Sequence, residues 1–236
     1  MTSWRIGAAF AVGLAVASPA RAQVQELDTR ASTPPGAVER PLEVGAGGFV
    51  EMGFGQVCQG ESDVVTCWPG IGVVGLSLAP RWRLSPLFAV GILGAMGWNM
   101  GGIGTMSSDG DHSESGLRKT RVAGELRYHP YGAGPSDLWL GLDIGVSLLT
   151  DWIDDFAADG GRVAHASVTR IGPRGGVGLG IDLRTTSFLA LSFELRGGTE
   201  SVGGSEPLLL GDRHAPKYGP MTTLSLGVGG TFLAAP

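Results

Sequence analysis

Hydrophobic and polar residues alternate along eight segments of this chain, beginning near Val44 and ending near Leu233. A period of two is typical of a strand with one apolar and one polar face, whereas an amphipathic helix needs apolar residues three and four positions apart. The clearest segment repeats an apolar residue at every even position from Leu138 to Leu148. The pattern predicts an all-β fold with strands at about 44–56, 70–83, 86–100, 117–129, 138–148, 165–184, 187–197 and 219–233.

The predicted connections alternate between short and long. Two of them are residue pairs, Leu84 with Ser85 and Thr185 with Thr186, and a third is the glycine- and proline-rich turn at 130–136. The other four, at about 57–69, 101–116, 149–164 and 198–218, are long and carry Gly, Ser and Asp. An antiparallel up-and-down barrel has this arrangement when its short turns lie at one end and its long loops at the other.

The polar face of the predicted strands is ionic and is interspersed with glycine and serine. Eight strands enclose a space that side chains only just fill, so small residues there would make room for long charged ones. Opposite charges can pair in such a space, whereas an unpaired buried charge is costly. We therefore predict a lumen filled by an ion-pair network, with a narrow ion path as the alternative. Its members are Glu51, Arg81, Arg121, Glu125, Arg127, Asp143, Arg170, Arg174, Asp182, Glu194 and Arg196.

Alternation alone also fits a soluble lipocalin-like barrel with its charges outside. Aromatic residues near the strand ends favour a membrane, because such residues form belts at both membrane interfaces. Ten residues of strand at about 3.3 Å each, tilted near 40°, span roughly 25 Å of hydrocarbon. Aromatics fall on the short-turn side at Trp82, Phe88, Tyr128 and Phe232, and on the long-loop side at Phe54, Trp98, Trp152 and Tyr218.

Residues 44–233 resemble the eight-stranded barrels of the bacterial outer membrane represented by OmpA and OmpX. The resemblance is architectural and includes no diagnostic motif. It implies insertion by the outer-membrane assembly machinery, with the termini in the periplasm. We also predict a monomer that contacts outer-membrane lipids. One departure is the C-terminus. Such barrels usually end on an aromatic residue, whereas here Phe232 is followed by Leu-Ala-Ala-Pro.

The N-terminus has the order of a secretory signal. A short positively charged start, an apolar run over 6–17 and the small-x-small site Ala20-Arg21-Ala22 predict a signal peptide at 1–22. Residues 23–43 lack periodicity and are predicted to be a flexible periplasmic extension before the barrel domain, 44–236. The net charge is −5 and no basic block occurs, which argues against nucleic acid as a partner.

Cys58 and Cys67 are the two cysteines of this exported chain. A disulfide between them would close a short loop in an oxidising compartment, and the alternative is two unpaired thiols. Sequence spacing does not establish the geometry that a disulfide requires.

Candidate chemistry is sparse. His165 and Ser167 form a His-x-Ser pair that is similar to the one in outer-membrane lipid A deacylases, where histidine activates a serine nucleophile. No orienting carboxylate is evident, because Asp182 has the opposite parity and Glu200 lies near a loop.

Other functional classes have less support. Residues 107–114 form an acidic loop without the ligand spacing of a calcium site, and no metal or cofactor is predicted. A carrier of hydrophobic molecules, as in the OmpW group, would require an apolar interior, whereas the predicted interior is ionic. We therefore expect a structural or surface-interaction role through the long extracellular loops.

Overall fold

The chain folds as an all-strand structure in the computed structural model. The model describes residues 42–61, 64–100, 103–106, 112–130, 136–202, 209–210, 213–214 and 217–233. The predicted signal peptide and nearly all of the predicted N-terminal extension lie outside these residues. The strands are β1 Leu42–Glu61, β2 Val64–Arg83, β3 Phe88–Asn99, β4 Ile103–Met106, β5 His112–Tyr128, β6 Ser136–Phe156, β7 Arg162–Arg184, β8 Leu189–Glu200, β9 Leu209–Leu210, β10 Arg213–His214 and β11 Lys217–Leu233.

Eight long strands close into a ring. Their order is β3-β2-β1-β11-β8-β7-β6-β5, and antiparallel pairing of β3 with β5 completes the circle. β4 continues the pairing of β5 beyond the end of β3, and β9 and β10 form a separate two-stranded sheet. The predicted eight-stranded antiparallel up-and-down barrel is confirmed.

Strands are longer than predicted at the long-loop end. β2 begins at Val64, and β6 continues to Phe156, about eight residues beyond the predicted end of that strand at Leu148. The alternation of apolar and polar residues stops where a strand leaves the lipid, while backbone pairing continues because it does not depend on that pattern. β1 also begins at Leu42, two residues inside the predicted extension.

The outer surface of the ring is apolar and the lumen is ionic. Ile144, Leu76 and Leu226 expose 79%, 65% and 64% of their surface, whereas Glu51 and Arg127 are each 1% exposed. A soluble barrel would have the opposite distribution, so the lipocalin-like alternative does not describe this chain. No helix among the described residues is long and apolar enough to cross a membrane.

Tyr218 does not belong to the outer aromatic belt, contrary to the prediction. The register between β1 and β11 shifts between Gly55 and Val57, where three residue steps on β11 oppose two on β1. An extra residue of this kind reverses which face the following side chain occupies. Tyr218 accordingly packs against the apolar cluster that contains Val57 and Met221.

Candidate functional site

One carboxylate at the centre of the lumen contacts three guanidinium groups. Arg81 Nε donates to Glu125 Oε2 at 2.6 Å, while Arg196 Nη2 and Arg127 Nε donate to Oε1 at 2.6 and 3.1 Å. Glu125 lies on β5, and the two flanking charges on its own face, Arg121 and Arg127, follow from the period-two repeat of a strand. This arrangement ties β2, β5 and β8 together across the lumen.

Trp139 fills the space beside this carboxylate and is fully buried. The Arg127 guanidinium carbon lies 3.4 Å from the centre of the Trp139 ring, and that of Arg196 lies 5.4 Å away. Glycines 178 and 180 on β7 leave room for the indole, because a Cβ at Gly180 would overlap it. Trp139 was not among the predicted lumen residues, although its polar-face parity is a signal that could have found it; in the structure it lies opposite Gly180.

Two further carboxylates continue the network towards the long-loop end. Lys119 Nζ donates to Glu51 at 2.6 Å and also contacts Glu200, while Arg121 binds the other Glu51 oxygen. Lys119 and Glu200 were not among the predicted network residues. Glu200 fell in the predicted loop at about 198–218, whereas β8 continues to Glu200 in the structure.

Asp143 completes the central group by pairing with Arg174 at 3.1 Å and facing Arg196 at 3.6 Å. Asp182 lies 3.9 Å from Arg127, and Glu194 lies 3.0 Å from Arg196. The central network therefore contains as many carboxylates as cations. They are Arg81, Lys119, Arg121, Arg127, Arg174 and Arg196 with Glu51, Glu125, Asp143, Asp182, Glu194 and Glu200.

The short-turn end of the lumen has its own buried group. Arg83 donates to Glu43 and to Asp137, and His129 Nδ1 lies 2.9 Å from Asp137 Oδ1. His129 is fully buried. This second group of ion pairs fills the lumen below the central network.

The long-loop end is closed differently, by apolar side chains. Val57, Leu117, Leu149, Val202 and Met221 form a buried cluster inside the ring. Val202 follows the end of β8, where Ser201 N–H donates to the Pro173 carbonyl at 3.1 Å. The chain leaving β8 thus contributes to the closure of the lumen.

Asp151 lies next to this apolar cluster, beyond the lipid-facing part of β6. Tyr218 donates its hydroxyl proton to Asp151 Oδ1 at 2.6 Å, and Arg170 binds the other carboxylate oxygen. Burial raises the pKa of Asp151 above its usual value, although Tyr218 and Arg170 act in the opposite direction. Burial, together with the Asp151 carboxylate, also raises the pKa of Tyr218. Arg170, a predicted network residue, therefore pairs at the mouth and not in the central network.

The His165 and Ser167 pair lies on the outer wall of β7. His165 Nδ1 lies 2.7 Å from Asp154 Oδ1, and Arg162 Nη1 lies 3.4 Å from the same oxygen. Ser167 is opposite Trp152 on β6. Asp154 supplies the carboxylate that the sequence did not reveal, because it lies on a part of β6 that the apolar pattern does not mark.

The backbone register places Cys58 directly opposite Cys67 on β1 and β2. The side chain of Cys67 lies outside the described residues, so the disulfide stays a prediction.

Only part of the predicted acidic loop can be located. Residues 107–111 lie outside the described part of the chain, and His112, Ser113 and Glu114 belong to β5. Within the described ranges, no group of three or more His, Cys, Asp or Glu side chains could hold a metal ion.

Comparisons with known proteins identify similar folds only. No protein-family model matches the chain, and no curated protein matches it. Among solved structures, it is similar to Neisserial surface protein A at 13% identity and a TM-score of 0.45, over 82% of this chain and 97% of the other. Ail of Yersinia pestis matches at 13% identity and a TM-score of 0.45, over 83% and 100%. OprG from Pseudomonas aeruginosa matches at 12% identity and 0.44, over 84% and 98%.

The membrane location follows from the chain's own geometry. An eight-stranded antiparallel barrel with an apolar outer band, short turns at one end and strands that extend beyond the band at the other has the architecture of outer-membrane barrels. The chain is an integral outer-membrane β-barrel.

Proposed function

We propose that this barrel does not conduct ions. We also propose that the strand extensions at its long-loop end make contacts at the cell surface. The observation that carries the proposal is the balanced network of six cations and six carboxylates in the lumen. A polar path for ions would need free space and unpaired charge, whereas these side chains neutralise one another. The same ionic interior argues against a carrier of hydrophobic molecules.

Planar-bilayer recording tests the closed lumen. The folded protein is expected to add no stable large channels to the bilayer. Stable, reproducible open levels from the wild-type protein would contradict the proposal and favour the narrow ion path.

The surface role has a structural basis in the strands that extend beyond the lipid band. β8 ends at Glu200, opposite Arg174, while β7 continues to Arg162. Since the Pro173 carbonyl faces β8, the backbone groups of every second residue from Ile171 back to His165 face the same way, and the register with β6 shifts beyond that point at Val163. Among the described residues, these groups have no backbone partner. An unpaired edge is a template on which an extended segment of another protein can add a strand.

A proline substitution tests this edge. Ser167→Pro removes one N–H from this edge, and proline is tolerated at edge strands. Adhesion of cells that display the barrel, to one another and to matrix-coated surfaces, is expected to fall for Ser167→Pro but not for the control Ser167→Ala. Equal adhesion of both variants would show that the edge is not the contact.

A second candidate function is acyl-ester hydrolysis at the outer leaflet, and the contact between Asp154 and His165 favours it. Asp154 would orient the imidazole, His165 would accept the proton of Ser167, and Ser167 Oγ would attack the ester carbonyl. The alcohol would leave with the proton from His165, and water would then release the acyl group as an acid.

Mass spectrometry of lipid A from cells expressing the barrel separates this function from the first. Loss of an acyl chain with the wild-type protein, abolished by Ser167→Ala and retained by Thr222→Ala, would establish the hydrolase. Lipid A that is the same in all three strains would eliminate it. The bilayer recordings are independent of either result.

A further inference from the structure

Arg118 is exceptional on the outer wall of the barrel. Its neighbours Leu117 and Lys119 are buried in the lumen, and Arg118 itself is exposed on the lipid-facing side of β5. From the short-turn aromatic level up to the level of Trp98, it is the one lysine or arginine at an outward-facing position of the described strands. Leucine, valine, isoleucine and glycine dominate the other outward positions.

The side chains around Arg118 form one row across four strands. Trp98 on β3 and Thr150 on β6 are its direct partners in register, and Thr150 is followed by Thr169 on β7. The Thr150 and Thr169 hydroxyl oxygens lie 3.0 Å apart. Trp98 is 47% exposed. A guanidinium and two hydroxyls therefore lie side by side next to an exposed indole.

A second tryptophan borders the row on its extracellular side. Trp152 lies against Gly116, where a Cβ would overlap its indole ring. Tryptophan is enriched at the level of lipid headgroups. The two indoles thus place Arg118 at the depth where the hydrocarbon ends.

The chemistry of the row fits a phosphate group. At a membrane interface, a guanidinium facing lipid costs about 0–1 kcal/mol, against roughly 2–4 at the midplane. Its planar donors match phosphate oxygens two at a time, and threonine hydroxyls can donate to the same oxygens. The nearest outward-facing carboxylate beyond the row on β6, Asp154, is already bound by Arg162 and His165.

We propose that Arg118, Thr150 and Thr169, between Trp98 and Trp152, bind the phosphate of a phosphorylated glycolipid in the outer leaflet. The site goes beyond the proposed surface role. It does not require Ser167 to be catalytic, although it lies one row below that serine.

Native mass spectrometry of the barrel in neutral detergent tests the site. The probes are a phosphorylated lipid A, the same lipid without phosphate, and inorganic phosphate as competitor. Charge-assisted hydrogen bonds lost in Arg118→Gln are expected to weaken binding of phosphorylated lipid A about tenfold. Arg118→Lys keeps the charge but not the paired donors, so a smaller loss is expected.

Matched controls make the result decisive. Arg184→Gln removes an exposed arginine from the opposite end of β7, and Thr222→Ala removes an exposed hydroxyl from β11; both should bind as the wild type does. The proposal is overturned if Arg118→Gln binds equally well, or if lipid A without phosphate binds as tightly. Displacement of the lipid by equimolar inorganic phosphate would also overturn it, since the site would then be one for free anions. A heated and unheated gel confirms that each variant is folded.

Discussion

Glu125 holds three buried guanidinium groups inside the lumen. Removing the negative charge leaves buried positive charges uncompensated, and breaking a buried pair in this way typically costs about 3–5 kcal/mol. We expect Glu125→Gln to lower the free energy of unfolding by an amount in that range, measured by urea unfolding in lipid vesicles.

The matched control for this change is Glu114→Gln, since Glu114 is an exposed carboxylate on the same strand. Its effect should remain within about 0.5 kcal/mol. Equal stabilities of the two variants would mean that the lumen is hydrated enough to screen the charges.

The packing of Trp139 makes a second residue-scale prediction. A Cβ at Gly180 would overlap the indole and lie 2.6 Å from the Phe193 carbonyl, whereas one at Gly175 would have its nearest neighbour, the Asp143 carbonyl, at 4.0 Å. Overpacking typically costs about 1–3 kcal/mol. Gly180→Ala should therefore unfold at lower urea than Gly175→Ala, and the reverse order would place the indole elsewhere.

At the scale of strands, sequence pattern was informative where lipid enforces it. Alternation located the lipid-facing part of all eight strands, because each residue there must be apolar outside and polar inside. It gave no warning of the bulge that turns Tyr218 inward, since a bulge is one extra residue with no composition of its own. It also missed Asp154, which lies where β6 has water on its outer face.

The lumen site was likewise only partly predictable from the sequence pattern. Parity alone assigned the predicted charged residues to the inner face, but it did not single out Glu43, Arg83 or Asp137. The ion pairs themselves could not be predicted, because pairing depends on the barrel's stagger. Trp139 and Lys119 both have interior parity, but neither was predicted to belong to the network. Trp139 is aromatic and not charged, and Lys119 is a single lysine among arginines. The strand extensions at the long-loop end lie outside the alternating apolar and polar pattern.

The hairpin of β1 and β2 supports an element-scale prediction. With Cys58 opposite Cys67, a disulfide would close a loop of about ten residues and contribute roughly 2–3 kcal/mol. We expect the intact protein to be two mass units lighter than its reduced form. Cys58→Ser combined with Cys67→Ser should lower the unfolding free energy by that amount. A mass unchanged by reductant would show two thiols.

The whole molecule is organised by the inversion of its two surfaces, with charge enclosed and hydrocarbon displayed. This inversion explains why the interior network and the outer wall can carry separate roles. The lumen needs neutrality and dense packing, whereas the outer wall needs only to match the depth of the bilayer. A substitution on the outer wall should therefore be judged by its depth.

Ile144 and Val163 make that dependence measurable. Both are exposed apolar residues of adjacent strands, at 79% and 68%, but Ile144 lies midway along the lipid-facing part of β6 and Val163 lies beyond the outer aromatic level on β7. Arginine at the midplane costs about 2–4 kcal/mol and near the interface about 0–1. Ile144→Arg should thus destabilise the barrel in lipid vesicles by about 1–4 kcal/mol more than Val163→Arg. Equal tolerance of both arginines would mean that the apolar band does not face hydrocarbon, because water would solvate either guanidinium at the same cost.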